Sequence, residues 1–179
     1  QCEIDGCGAV YNHLLEDSYI LSPMQEGLLF RDLYQKSDEY LVQSVFELEG
    51  AIEVQALKEA WQAVIEHYPI LRTGFIWEGL NKPHQYVFKS VSIVWSEEDW
   101  SFYTKEEQNS LLEKCIEKDR NIRFDLSKVP LLRFQLFKLS KTRVYLLWTQ
   151  HHILLDGWCG PILINNFLRA YGEIKAGRS

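Results

Sequence analysis

The chain has 179 residues, 46% of them hydrophobic and 25% charged, with a formal net charge of −6. That length and balance suit one folded domain with a real core, not a disordered chain. The acidic excess argues against a phosphate-backbone binder, and no apolar run reaches the roughly 18 residues that span a bilayer, so neither nucleic acid nor membrane is an expected partner.

The first residues, QCEIDGCGAV, hold no basic segment followed by an apolar one, so they do not read as a signal peptide, and the expected compartment is the cytoplasm. Residues 1–17 read as a leader or interdomain linker, and 18–179 as the folded unit. The four cysteines are Cys2, Cys7, Cys115 and Cys159, with no C-x-x-C pair. Free thiols are expected, and no metal.

LSPMQEGLLFRDLYQ opens as a helix, with Ser22 as N-cap, Pro23 in the first helical position and Gln25 completing a capping box. YLVQSVFELEG alternates, placing Val42, Ser44, Phe46 and Leu48 on one face of a strand that Gly50 ends. EVQALKEAWQAVIEHYP carries Val54, Leu57, Trp61, Val64 and Ile65 at helical spacing until Pro69 stops it. ILRTGFIW reads as a short strand, followed by a turn at Gly79, Asn81 and Pro83. HQYVFKS and VSIVW are β-rich. Thr104 and Glu107 form a second capping box before the helix TKEEQNSLLEKCIEKDR. PLLRFQLFKLSKTRVYLLWTQHH reads as a hairpin turning at SKT, and a last helix runs from about Pro161 to Ala176 with Ile164, Phe167, Leu168 and Tyr171 as its buried stripe. The order predicts an α/β domain with a mixed or antiparallel sheet and flanking helices.

The chemistry concentrates in QHHILLDGW, residues 150–158. Neighbouring strand residues point to opposite faces, so His151 and His152 do not easily share one metal ion or one substrate. A neutral histidine with a fixed tautomer is the natural general base near pH 7. Asp156 is open to several roles: orienting a histidine, capping the next helix, or pairing with an arginine. The spacing H-x-x-x-D lacks a third ligand, which leaves a metal site unsupported.

HHILLDG resembles the HHxxxDG signature of the condensation-domain superfamily of nonribosomal peptide synthetases, which chloramphenicol and dihydrolipoyl acyltransferases share. LSPMQEGLLF (residues 21–30) resembles the first core motif of condensation domains, and EHYPILRTGF (residues 66–75) the second. The resemblance implies a chloramphenicol-acetyltransferase-like lobe. It also implies that the chain is the N-terminal lobe of a two-lobed domain, with the C-terminal lobe absent. The implied activity is amide-bond formation between a donor aminoacyl or peptidyl thioester and the α-amine of an acceptor aminoacyl thioester. Both would ride on phosphopantetheine arms of carrier proteins, with no cofactor bound directly.

SPMQEGLLF is closer to peptide-bond-forming domains than to epimerization domains, and the paired histidines argue against heterocyclization. PMQEG and YPILRT lean toward a D-configured donor. The implied partners are donor and acceptor peptidyl carrier proteins, the C-terminal lobe and a neighbouring adenylation domain. Residue by residue, His152 matches the position that acts on the amine, as base or as positioning group. His151 would be structural, and Asp156 would pair with Arg72 and hold the turn. On that basis Asp156→Ala would damage folding, and His152→Ala would damage turnover. Gly157 would allow a tight turn and point its N–H at the developing oxyanion. Trp158 would line the cleft or join the core, and Met24 and Gln25 would line the tunnel wall beside Ser22. The alternatives are a carrier- or docking-element-binding lobe without turnover, a small-molecule or CoA-dependent acyltransferase, and an epimerization domain.

Overall fold

The computed structural model describes residues 14–35 and 39–178. A four-stranded sheet is built from β2 (Leu41–Glu49), β5 (Trp95–Asp99), β6 (Leu132–Lys138) and β7 (Arg143–His151), in the order β2-β7-β6-β5. β7 pairs antiparallel with both neighbours, and β5 runs parallel to β6. A smaller antiparallel sheet has the order β1-β4-β3, from β1 (Leu15–Ile20), β3 (Thr73–Ile76) and β4 (His84–Phe88). The helices are α1 (Pro23–Gln35), α2 (Val54–His67), α3 (Lys105–Arg120) and α4 (Cys159–Lys175). This is the mixed α/β arrangement expected.

The period-two alternation of β6 and β7 sorts the core into two clusters. Val144, Leu146 and Trp148 of β7, with Leu132, Phe134 and Leu136 of β6, pack with Trp61 of α2 and Phe167 of α4. The Trp61 and Phe167 rings stack with centroids 4.7 Å apart. Tyr145 and Leu147 of β7 and Phe137 of β6 pack on the other side, against Leu111, Leu112, Cys115 and Ile116 of α3.

Both capping boxes form. Ser22 N donates to Gln25 Oε1 at 3.0 Å and Gln25 N to Ser22 Oγ at 3.3 Å. Thr104 N donates to Glu107 Oε2 at 2.8 Å and Glu107 N to Thr104 Oγ1 at 3.3 Å. Each box satisfies otherwise orphaned N–H groups at a helix start.

Three expectations change. The boundary at residue 17 falls inside β1, whose residues pair with β4; Cys2 and Cys7 lie outside the described residues. LEDSYI is almost wholly exposed, so β1 has no apolar alternation to read and is held through its backbone. Pro69 turns ILR into a 3-10 turn, Pro69–Arg72, so the strand there begins only at Thr73. VSIVW is not a strand through its apolar part: Val91 packs into the core, and β5 starts at Trp95 and runs into the acidic Glu97, Glu98 and Asp99.

Candidate active site

β7 lies between two strands, so the backbone at its end is pinned from both sides. His151 N donates to Leu131 O at 3.0 Å and His152 N to Tyr40 O at 2.7 Å. The strand ends at His151, and His152 opens a turn through Ile153, Leu154 and Leu155, all three buried. The turn closes with Leu154 N donating to His151 O at 3.2 Å.

The two histidines receive different surroundings. His151 is only 2% exposed, its Nε2 lies 3.4 Å from Asp32 Oδ1, and its Nδ1 accepts from Ile153 N at 3.1 Å. His152 is partly exposed, and its Nδ1 lies 2.8 Å from Leu155 O. A carbonyl oxygen can only accept, so this contact assigns the ring proton to Nδ1 and leaves the lone pair on Nε2. That is the form a proton acceptor needs.

The expected Arg72–Asp156 pair does not form. Arg72 is buried at the end of the 3-10 turn, where Nη1 donates to Glu16 Oε2 at 2.7 Å and also to Phe88 O. Glu16 comes from β1, which the pattern of apolar residues did not reveal. Asp156 is exposed and serves its own turn: Oδ1 accepts from Trp158 N at 3.0 Å and Cys159 N at 3.1 Å. The Cys159 thiol, followed by those N–H groups, holds the Asp156 carboxyl below its usual range, and the carboxylate in return pushes the thiol up. Asp156 thus steadies the start of α4. Asp156→Ala is therefore expected to lower the melting temperature only slightly, instead of unfolding the chain. Thermal melts beside an Asp119 variant measure this, and collapse of the fold would refute the local role.

Gly157 does not need to be glycine for its backbone. Its φ is not positive, and a Cβ there would meet nothing within 4 Å. Trp158 is 85% exposed, which removes the core reading, and Met24 is 72% exposed. Gln25 hydrogen-bonds to the Gln85 side chain at 3.1 Å as well as to Ser22. Among the described residues no hydrogen bond joins Met24, Gln25 or Trp158 to His152. Two surface clefts, of about 310 and 590 Å³, are lined by other residues, so His152 sits outside both. Among the described residues no group of three or more His, Cys, Asp or Glu could hold a metal ion, and no helix is long and apolar enough to cross a membrane.

Sequence reasoning missed Asp32, the buried partner of His151. Its signal was present: it lies three residues after the fully buried Leu29 and four after Leu28, a carboxylate on an apolar helix stripe.

A family model described as condensation domain matches residues 15–179. A linear gramicidin synthase of Brevibacillus parabrevis is 40% identical over 169 residues, 94% of this chain but 3% of that protein. Gramicidin S synthase 2 of Brevibacillus brevis is 35% identical over 162 residues, 90% of this chain and 4% of that protein. The chain thus spans a few hundredths of the length of these curated relatives. Among solved structures, the starter condensation domain of rhizomide synthetase superposes with a TM-score of 0.79 at 22% identity, covering 92% of this chain and 41% of that one. The first condensation domain of the calcium-dependent antibiotic synthetase, in complex with a substrate analogue, superposes with a TM-score of 0.80 at 17% identity, with the same two coverages.

Proposed function

The chain belongs to the condensation-domain family, and from that premise we propose that it supplies the histidine-bearing N-terminal lobe of a nonribosomal peptide synthetase condensation domain. The reaction is transfer of a donor acyl group from its carrier thioester to the α-amine of an acceptor held on a second carrier. The amine nitrogen bonds to the thioester carbonyl carbon, the tetrahedral intermediate collapses, the C–S bond breaks, and the freed donor thiol takes up the proton the amine gives up. An α-ammonium titrates near about 8, so part of the amine is already neutral at pH 7. His152 Nε2 then accepts a hydrogen bond or the proton from that amine. The observation that carries this reading is the Nδ1–H to Leu155 O contact, which leaves Nε2 as the acceptor.

The chain covers 41% of each of two solved condensation domains. That fraction supports a half-site whose remaining wall comes from a C-terminal lobe. Carrier proteins loaded on phosphopantetheine, and an adenylation domain that charges them, follow as partners in the cytoplasm. The motif wording PMQEG and YPILRT supports a D-configured donor.

Loaded donor and acceptor carriers, mixed with the complete domain and separately with this chain, test the proposal, with the amide product followed by mass spectrometry. Product is expected from the complete domain, faster with the D-loaded donor, and little or none from this chain. Turnover by this chain at the complete domain's rate would refute the half-site. Absence of product from the complete domain would refute the reaction and favour a carrier-binding lobe.

A further inference from the structure

We infer that Asp32 is a positioning residue for the reaction, acting through His151 on the turn that holds His152; this rests on the role proposed for His152.

Ile153 N–H can only donate, so His151 Nδ1, 3.1 Å away, must carry a lone pair. The ring proton of neutral His151 then sits on Nε2, which faces Asp32 Oδ1 at 3.4 Å. An ionised carboxylate only accepts, so Asp32 favours the same tautomer from the other side of the ring. Arg123 Nη2 contacts the same oxygen at 3.0 Å and fixes it in place. Burial pushes the Asp32 carboxyl up, but the contacts with His151 and Arg123 outweigh it and keep the group ionised.

The two adjacent histidines therefore hold opposite tautomers, His151 protonated on Nε2 and His152 on Nδ1. They are mechanically linked. His151 Nδ1 anchors Ile153 N, His151 O anchors Leu154 N, and the next residue supplies the carbonyl that orients His152. If His151 moved its proton to Nδ1, that hydrogen would face the Ile153 hydrogen inside a buried turn. Asp32 blocks that rearrangement from α1, 119 positions away in sequence from His151. An anchoring role for Asp32 alone, as partner of Arg123, would affect stability and leave the tautomers untouched.

Long-range proton–nitrogen spectra of the 179-residue chain distinguish protonated from unprotonated ring nitrogens. The unsubstituted chain is expected to show the opposite pair; a proton on His151 Nδ1 would overturn the proposal. Asp32→Asn keeps an acceptor oxygen and should keep the pattern. Asp32→Ala should give both histidines mixed tautomers, and unchanged tautomers there would reduce Asp32 to an anchor. Arg123→Gln should lower the melting temperature with the pattern intact. If Asp32→Ala does not fold, the asparagine variant decides, since loss of the pattern there overturns the proposal. In the complete domain Asp32→Ala should lower kcat by roughly ten- to a hundredfold with KM for both carriers unchanged, the size of effect that misplacing a reacting group produces. The tautomers are read without turnover, so a complete domain that forms no amide refutes the proposed reaction, while an unresponsive tautomer pattern refutes only the role of Asp32.

Discussion

Asp119→Ala is expected to remove about 3–5 kcal/mol of folding stability, the cost of breaking a buried ion pair from one side. The Asp119 side chain is 0% exposed. Its Oδ1 accepts from Arg133 Nε at 2.6 Å and Gln135 Nε2 at 2.8 Å, and its Oδ2 from Thr149 Oγ1 at 2.6 Å and Gln43 Nε2 at 2.8 Å. These donors come from β6, β7 and β2, so one carboxylate ties the end of α3 to three strands of the larger sheet. Arg133 is itself only 12% exposed and would be left with its charge uncompensated. At this chain length the loss corresponds to a fall in melting temperature of roughly 10 °C. A variant that melts with the unsubstituted chain would show that the network is not what holds α3 down.

The same carboxylate sets an acid sensitivity. Burial pushes it up, but Arg133, Thr149 and Gln43 outweigh burial and hold it below its ordinary value of 3.8. A group depressed in the folded state contributes stability above its unfolded value and loses it as pH falls through the folded one. Asp119 therefore contributes fully at neutral pH, and its contribution fades below about pH 4. Asp119→Asn lacks the titrating group, so denaturant melts of the two proteins should converge as the solution is acidified.

His152→Ala in the complete domain is expected to lower turnover by about 10²- to 10⁴-fold, the usual worth of a positioned proton-transfer group. Stability should change little. The ring is partly exposed and its described hydrogen bond is to Leu155 O, while the backbone contact to Tyr40 O survives the substitution. His151→Ala should do the reverse to stability, because it takes the acceptor from the buried Ile153 N–H and leaves Asp32 with Arg123 but without its ring partner. Circular dichroism beside the carrier assay separates the two. Equal loss of fold and activity in His152→Ala would make that residue structural.

Elements that bury an apolar stripe were readable from the chain. Trp61, Val64 and Ile65 mark α2, the alternation of β6 and β7 marks the hairpin, and Ser22–Gln25 and Thr104–Glu107 mark helix starts through local hydrogen bonds. Elements without an apolar alternation were not, which is why β1 and the acidic half of β5, held by backbone pairing and a few polar contacts, escaped notice. Strand alternation predicted different surroundings for His151 and His152, but β7 ends at His151 and it is the turn opening at His152 that separates them. The partner of Arg72 was not foreseen, because Glu16 reaches it from 56 residues away on a strand without a pattern. Asp32 and Asp119 stood in plain view as carboxylates at the ends of apolar helix stripes, but their partners are fixed only by the fold.

One of the two outer strands of the larger sheet, β5, bears on how these molecules behave in a crowd. Among the described residues β5 pairs with β6 alone, which leaves its other row of backbone donors and acceptors without a partner strand there, the template along which sheets of separate molecules join. It carries Glu97, Glu98 and Asp99 there, all exposed. A second copy docking strand to strand would set like charges against each other and strip them of water. The polarity that hides β5 from an apolar pattern is thus the same polarity that disfavours pairing along its edge.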